Sequence, residues 1–220
     1  MATEDLEVFV RQGTPATDSE GIYVPMKGNR RGETCVVDFL TEMALEGRVY
    51  QIRAGTATTA LTGDEAITDS GCEMFLETGV GVTALPIEVM ITFNNLGGDA
   101  LECAGKSVGT ASTSGTAFVP INLLAGGISS RATAAVQAAG GALVAAETAL
   151  TTRQHFHYSE EFVSDSDAES EPWNPVVWQP KLIPVLKDVA VFYVQIASAT
   201  TGPGYFAHIN FIELRTVNVT

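Results

Sequence analysis

The chain carries little positive charge. Its 220 residues include 12 lysines and arginines against 26 aspartates and glutamates, which gives a formal net charge of −14. Affinity for nucleic acid comes largely from lysine and arginine displacing counterions, and an acidic surface repels phosphate backbones. The only basic cluster is the six-residue stretch KGNRRG from Lys27 to Gly32. The composition therefore argues against direct nucleic-acid binding.

Cysteine is scarce and irregularly spaced. Cys35, Cys72 and Cys103 form no CxxC pair, and an odd number cannot close a disulfide framework. We therefore expect buried free thiols in a protein made in a reducing compartment, and no zinc site. No apolar run reaches about 18 residues, so we expect no membrane-spanning segment. The start, MATEDLEVFV, lacks the basic and apolar parts of a secretory signal.

Motifs for catalysis are also missing. The sequence contains no GxSxG, and no cysteine lies near a histidine along the chain. Glycine pairs such as Gly97-Gly98 are not followed by the strand, loop and helix that a phosphate cradle needs. These absences predict a non-catalytic protein without a cofactor.

What is present suits one folded domain. Hydrophobic residues make up 45% of the chain and charged residues 17%, which argues against wholesale disorder. A chain of this length can bury one sizeable core. We predict a single domain over residues 1–220, with the polar and acidic residues 1–20 as an N-terminal arm.

The strongest pattern lies near the C-terminus. Apolar side chains alternate on both faces of Val189 to Ile196 and again over Tyr205 to Leu214. Because side chains alternate across a strand, two apolar faces indicate a strand that is covered on both sides. A short loop rich in Ser, Thr and Gly separates the two segments. We predict an antiparallel hairpin at the centre of a sheet.

Further strand candidates recur every 10 to 15 residues or so. The clearest begins at Pro86, with Ile87, Val89, Ile91 and Phe93 facing the core. The segments from Thr34 to Met43 and from Arg48 to Arg53 are also predicted strands. Nine to eleven short strands, some interrupted by proline, predict an all-β fold: a β-sandwich or jelly roll.

One segment departs from this pattern. Residues 129–150 are rich in alanine, which favours helix, and Ser129 or Ser130 can cap such a helix. Gly140-Gly141 interrupts it, at about 1 kcal/mol for each glycine. We predict a short helical or loop insertion on the surface, because small side chains bury little area.

A possible metal site lies in the last third of the chain. His155, His157 and Glu161 share one face of a predicted strand, and His208 follows later. Imidazoles with a carboxylate suit a first-row transition metal. The spacing resembles the HxHxxxE motif of cupins, which is followed by a distant histidine near PxG, here Pro203-Gly204. The resemblance implies a jelly-roll metalloenzyme that uses these four residues.

Two other local features allow alternative interpretations. Without a metal, His155 and His157 lie on the solvated side of a half-buried strand, and His208 packs with Asn210. The acidic run Asp165, Asp167, Glu169 and Glu171 is either a solvated loop or a calcium site at a subunit contact. Trp173 and Trp178 either pack at the edge of the core or form stacking platforms for a carbohydrate.

The whole pattern resembles the single jelly-roll capsid proteins of icosahedral viruses. The resemblance lies in the strand number, the proline-broken crossings, the alanine-rich insertion and the C-terminal pair VAVFYVQIASATTGPGYFAHINFIELR. It implies a structural subunit, made in the host cytoplasm, that self-associates in a virion together with other capsid proteins. The acidic start differs from the basic arms of many RNA-virus coat proteins and looks more like capsids with an internal membrane. The alternatives are a β-sandwich binding module and the cupin-like enzyme.

Overall fold

The structure is a computed structural model that describes residues 38–95, 100–113, 115–143, 147–148, 151–161, 174–199 and 201–218. The predicted N-terminal arm, the basic cluster, Cys35, the acidic run and Trp173 lie outside these residues. The described residues form one α-helix, α1 (Phe39–Leu45), a final 3₁₀ turn (Thr216–Asn218) and fourteen strands. The strands are β1 (Val49–Ala54), β2 (Leu61–Thr62), β3 (Gly71–Thr78), β4 (Val82–Asn95), β5 (Ala100–Val108), β6 (Ser112–Thr113), β7 (Thr116–Phe118), β8 (Ile121–Asn122), β9 (Thr133–Leu143), β10 (Arg153–Glu161), β11 (Val176–Trp178), β12 (Leu186–Lys187), β13 (Ala190–Ser198) and β14 (Gly204–Arg215).

The strands form two antiparallel sheets. Sheet I has the order β11-β4-β14-β1-β8, with β12 also on β4 and β2 on β14. Sheet II has the order β10-β5-β13-β3-β9-β6, with β7 on β9. The pairing is nested, since β1 pairs with β14, β3 with β13, β4 with β11 and β5 with β10. The prediction of an all-β sandwich is confirmed.

The main core lies between the two sheets. Burying one large apolar side chain contributes about 1.5–3 kcal/mol, so this layer is the main source of stability. Its largest fully buried members are Tyr50, Ile52, Ile91, Tyr205, Ile209 and Phe211 from sheet I and Met74, Leu76, Phe192 and Ile196 from sheet II.

Smaller apolar clusters cover parts of the outer faces. Val191 and Tyr193 of β13 pack with Cys72 and Phe75 on the far side of sheet II, so β13 is buried on both faces as predicted. Cys72 and Cys103 are buried free thiols, which confirms that prediction for both, and burial raises the pKa of Cys72 to about 12.

The two C-terminal strands do not form the predicted hairpin. β13 pairs with β3 and β5 in sheet II, whereas β14 pairs with β1 and β4 in sheet I. The chain therefore passes from sheet II at Ser198 to sheet I at Gly204. The prediction of adjacent strands is wrong. Strands with two apolar faces are expected both for neighbours within one sheet and for strands that face each other from opposite sheets, so the pattern does not distinguish the two arrangements. Each strand does lie at the centre of its own sheet.

The prediction of a helical or loop insertion at residues 129–150 is also wrong for half of its length. Residues 133–143 form β9, which pairs with β3 and carries β6 and β7 on its other side. Helix propensity amounts to a few tenths of a kcal/mol per residue, and pairing with β3 outweighs it. Ala134 packs in the main core and Ala135 on the outer face of sheet II, so small side chains serve both faces of the strand.

The segment from Thr34 to Met43 was predicted as a strand, but its described part begins a helix. The carboxylate of Asp38 accepts hydrogen bonds from the backbone N–H groups of Leu40 and Thr41, at 3.0 and 3.1 Å, which is an N-cap. Met43 then packs on the outer face of sheet I against Ile212. No helix among the described residues is long and apolar enough to cross a membrane.

The strand that begins at Pro86 is confirmed and is longer than predicted. Val89 and Ile91 enter the main core, and Phe93 packs against it. The register between β4 and β14 shifts at Ile87, which has no partner residue in β14. Because such a bulge reverses the alternation, Ile87 packs on the outer face with α1 and not in the core as predicted.

The crossing between the two C-terminal strands depends on Gly202. A Cβ atom there would lie 1.7 Å from the carbonyl oxygen of Gly63, whose N–H donates to the carbonyl of Pro203 at 2.8 Å. We predict that Gly202→Ala lowers the free energy of unfolding by about 1–3 kcal/mol, because the two backbones must separate. Chemical denaturation measures the change. Gly79→Ala is the matched control, since a Cβ there meets nothing within 4 Å; equal losses in both variants would contradict the prediction.

Candidate functional site

The four predicted metal ligands lie on both sheets. His155 and His157 belong to β10 of sheet II, Glu161 is the last residue of that strand, and His208 lies in β14 of sheet I. Among the described residues, no group of three or more His, Cys, Asp or Glu side chains is close enough to hold a metal ion. Metal binding by this set stays a prediction, and the geometry lends it no support.

His155 is held in an apolar setting by a bulge. The register of β10 against β5 shifts between Gln154 and Phe156, and His155 lies at that shift. Its Nε2 atom lies 2.8 Å from the Ser107 hydroxyl, and its ring centroid lies 5.6 Å from that of Phe192. Burial lowers the pKa of this imidazole. His155 is half-buried, so the alternative that places it on the solvated side of the strand does not hold for this residue.

The other two imidazoles each pair with a carboxylate. Nε2 of His157 lies 2.8 Å from Oε1 of Glu102 on the exposed side of β10, in the solvated position that the non-metal interpretation predicted. Nε2 of His208 lies 3.1 Å from Oε1 of Glu88. Asn210 donates to the same oxygen at 2.9 Å, so His208 and Asn210 do lie together.

Glu88 organises a polar network on the outer face of sheet I. Besides His208 and Asn210 it accepts a hydrogen bond from Gln179 at 2.8 Å, and Asn210 in turn accepts one from Gln51 at 3.0 Å. The hydrogen bond from Gln179, followed by that from His208, lowers the pKa of Glu88. The network therefore holds a charged carboxylate in place at neutral pH.

A groove of about 340 Å³ adjoins this network. Arg53, Thr92, Phe206 and His208 are among its lining residues. It offers a guanidinium, a hydroxyl and an aromatic face, which together can bind a small polar or anionic group. The arrangement contains no catalytic set that we recognise among the described residues.

Trp178 is not a free stacking platform. Its ring stacks on Phe192 with centroids 5.5 Å apart and planes 17° apart, and it also contacts Phe156 at 5.5 Å. The side chain closes the edge of the main core. The edge-of-core interpretation is therefore confirmed for Trp178.

The first apolar surface lies at the β8 edge of sheet I. The loop after β8 folds against the turn between α1 and β1, because Asn122 donates to the carbonyls of Gly47 and Ile128, each at 2.8 Å. Large apolar side chains around this loop are between 41% and 76% exposed. We call this surface the β8 rim: Leu45, Ile121, Leu123, Leu124 and Ile128.

A second apolar surface lies at the opposite edge of the same sheet. There β11 and β12 both pair with β4. The large apolar side chains in and around these two strands are between 39% and 91% exposed. We call this surface the β11–β12 rim: Val177, Leu182, Ile183, Val185 and Val189.

Neither rim followed from strand patterns. Most of the ten side chains lie in loops or beside very short strands, where no alternation is available to interpret. The signal that could have revealed them is the clustering of large apolar residues, such as Leu123-Leu124 and Leu182-Ile183, in segments that contain turn residues. Apolar patches of this kind mark association surfaces on folded proteins.

Comparison with known proteins adds no functional assignment. No known protein family matches the chain, and no curated protein matches its sequence.

The setting of His155 predicts a pH dependence of stability. Its pKa is lowered in the folded chain, so between the ordinary value of 6.5 and that lower value the unfolded chain binds more protons. Stability is thus fully present above pH 6.5 and is lost as the pH falls through this window. The free energy of unfolding therefore changes with pH in this window. We expect His155→Gln to reduce the slope of that free energy against pH by up to about 1.4 kcal/mol per pH unit.

Urea denaturation between pH 7 and pH 5, at roughly unit to half-unit steps, measures this slope. His157→Gln is the control, because that imidazole is exposed on the same strand. A slope that is the same in wild type and His155→Gln would contradict the inferred burial of a neutral imidazole.

Proposed function

We propose that this chain is a structural, non-catalytic subunit that self-associates into a virion shell or a similar assembly, and that its sandwich is a jelly roll. The observation that carries the proposal is the presence of two exposed apolar rims on opposite edges of one sheet. The strand order and the net charge support it.

The nested pairing supports the jelly-roll assignment. A jelly roll pairs the first strand with the last, the second with the last but one, and so inward, across two sheets. Here β1, β3, β4 and β5 pair in turn with β14, β13, β11 and β10. In this scheme β9 is an additional strand, inserted between β5 and β10 and placed beside β3. Jelly rolls of this kind occur in viral capsid proteins, lectins and cupins.

The position of the rims favours assembly over a closed dimer. β8 and β11 are the two ends of the strand order of sheet I, so the rims face away from each other. A contact between the β8 rim of one copy and the β11–β12 rim of the next is heterologous, and repeated heterologous contacts generate rings or shells. Stable contacts of this kind bury about 800 Å² on each partner.

The net charge of −14 sets the conditions for association. Copies of this chain repel each other at low salt, and the repulsion is screened once the Debye length falls to about 8–10 Å near physiological ionic strength. Apolar contact then supplies the attraction. Added salt should therefore promote assembly.

The two alternatives gain less from the structure. The cupin-like enzyme needs His155, His157 and His208 together, and each has a separate hydrogen-bond partner. The carbohydrate-binding module needs Trp178 exposed, and its ring is stacked on Phe192.

We predict that Leu124→Glu and Leu182→Glu each abolish assembly, because each places a charge in one rim. Light scattering and negative-stain microscopy over a range of salt and calcium concentrations measure the particles. Thr113→Glu is the control, since Thr113 is exposed in β6, at one end of the strand order of sheet II, and belongs to neither rim. Wild-type protein that stays monomeric under every condition would refute the assembly proposal.

Mixing the two rim variants tests the heterologous contact directly. Leu124→Glu keeps an intact β11–β12 rim and Leu182→Glu keeps an intact β8 rim, so the mixture should form one-to-one heterodimers although each variant alone stays monomeric. Analytical ultracentrifugation measures the species. Dimers of Leu182→Glu alone would instead indicate a contact between two β8 rims.

A further inference from the structure

Two acidic side chains meet where β13 extends past its pairing with β3. Glu73 is 2% exposed, lies at a register shift of β3, and accepts the backbone N–H of Ile196 at 2.7 Å through Oε2. Asp64 precedes β3 and is bridged to β13: its N–H donates to the carbonyl of Ile196, and its carbonyl accepts the N–H of Ser198, each at 3.0 Å. Asp64 and Glu73 line the same small pocket.

This pair has no compensating cation in the described part of the chain. None of the ion pairs formed there involves Asp64 or Glu73. Glu73 is buried and Asp64 is half-buried, and a carboxylate removed from water is costly unless it has a partner or a metal ion.

An unpartnered amide oxygen lines the same pocket. Gln195 is 2% exposed, and its Nε2 donates to the carbonyls of Thr68 and Gly71 at 2.6 and 2.8 Å. Its Oε1 is buried and has no hydrogen-bond partner. A buried acceptor without a partner costs about 1–3 kcal/mol.

The absence of a side chain at Gly71 keeps this pocket open. A Cβ atom at Gly71 would lie 2.6 Å from Oγ1 of Thr68 and 3.4 Å from Oδ2 of Asp64. The lining thus brings together two carboxyl groups, a buried amide oxygen, a hydroxyl and backbone carbonyls. A set made of oxygen donors is what hard cations prefer.

We infer that Asp64, Glu73 and Gln195 form a binding site for a calcium ion. The ion lies between the two carboxyl groups, and Oε1 of Gln195 supplies a neutral ligand. Calcium suits the site better than magnesium, because magnesium keeps several of its waters and is seldom held by protein oxygens alone. The bound ion connects the segment before β3 to β13.

Calorimetric titration of chelator-treated protein with CaCl₂ tests this inference. We expect one calcium per chain with a dissociation constant of about 10⁻⁵ to 10⁻³ M, and a higher melting temperature in calcium. Glu73→Gln should weaken binding at least about tenfold, since even residues that only support a metal ligand contribute that much. No saturable binding below about 10 mM calcium would overturn the inference.

Asp69→Asn is the matched control. It removes the same charge from the same segment, but Asp69 is exposed and does not line the pocket, so calcium affinity should be unchanged. Equal weakening in Glu73→Gln and Asp69→Asn would overturn the assignment to this pocket. Asp64→Asn provides a second ligand variant if Glu73→Gln does not fold.

A separate experiment distinguishes this calcium site from a site at the proposed contact between copies of the chain. All the proposed ligands come from one chain, so the Leu124→Glu variant should bind calcium with the affinity of wild type. Binding that is lost in that variant would place the ion at a contact between copies and overturn the intrachain site.

Discussion

The fold depends on one constraint: β13 and β14, which both carry many large apolar side chains, face each other across the main core. Phe192 and Ile196 of β13 meet the layer that contains Ile209 and Phe211 of β14, and all four side chains are fully buried. Because each strand is central in its own sheet, its neighbours follow: β3 and β5 beside β13, and β1 and β4 beside β14. The nested order of both sheets is built outward from this pair.

The same arrangement determines what the surface can do. With β14 at the centre of sheet I, the short strands β8 and β11 lie at its two edges. The loops beside β8 and around β11 and β12 carry apolar side chains that stay outside the core. Helix α1 covers only one end of the outer face of sheet I, through Met43. The rest of that face carries the polar network around Glu88 and the adjoining groove. Exposed apolar edges and a polar outer face are thus two results of one sandwich.

Site interpretation from sequence was limited by irregularities in the strands. The cupin-like spacing assumes an unbroken strand in which His155 and His157 share a face, but a register shift at His155 turns it towards Phe192 while His157 stays exposed. A bulge leaves no clear mark in residue spacing. Glu73 gave no signal either, because a single acid between apolar residues reads as a solvent-facing strand position. Glu73 is buried where Asp64, nine residues earlier, folds against β13, the strand whose Ile196 N–H donates to Glu73.

Local alternation along the chain was sufficient to predict the all-β class, the burial of both faces of β13, the thiols of Cys72 and Cys103, and the strand through Val89 and Ile91. These properties depend on short-range periodicity. Which strands pair, that the alanine-rich segment becomes β9, and which edges stay open were decided by the tertiary structure. Hydrogen bonds to a free strand edge and burial against a distant strand outweigh propensities of a few tenths of a kcal/mol per residue. Such contacts join residues far apart in the chain, so no local pattern records them.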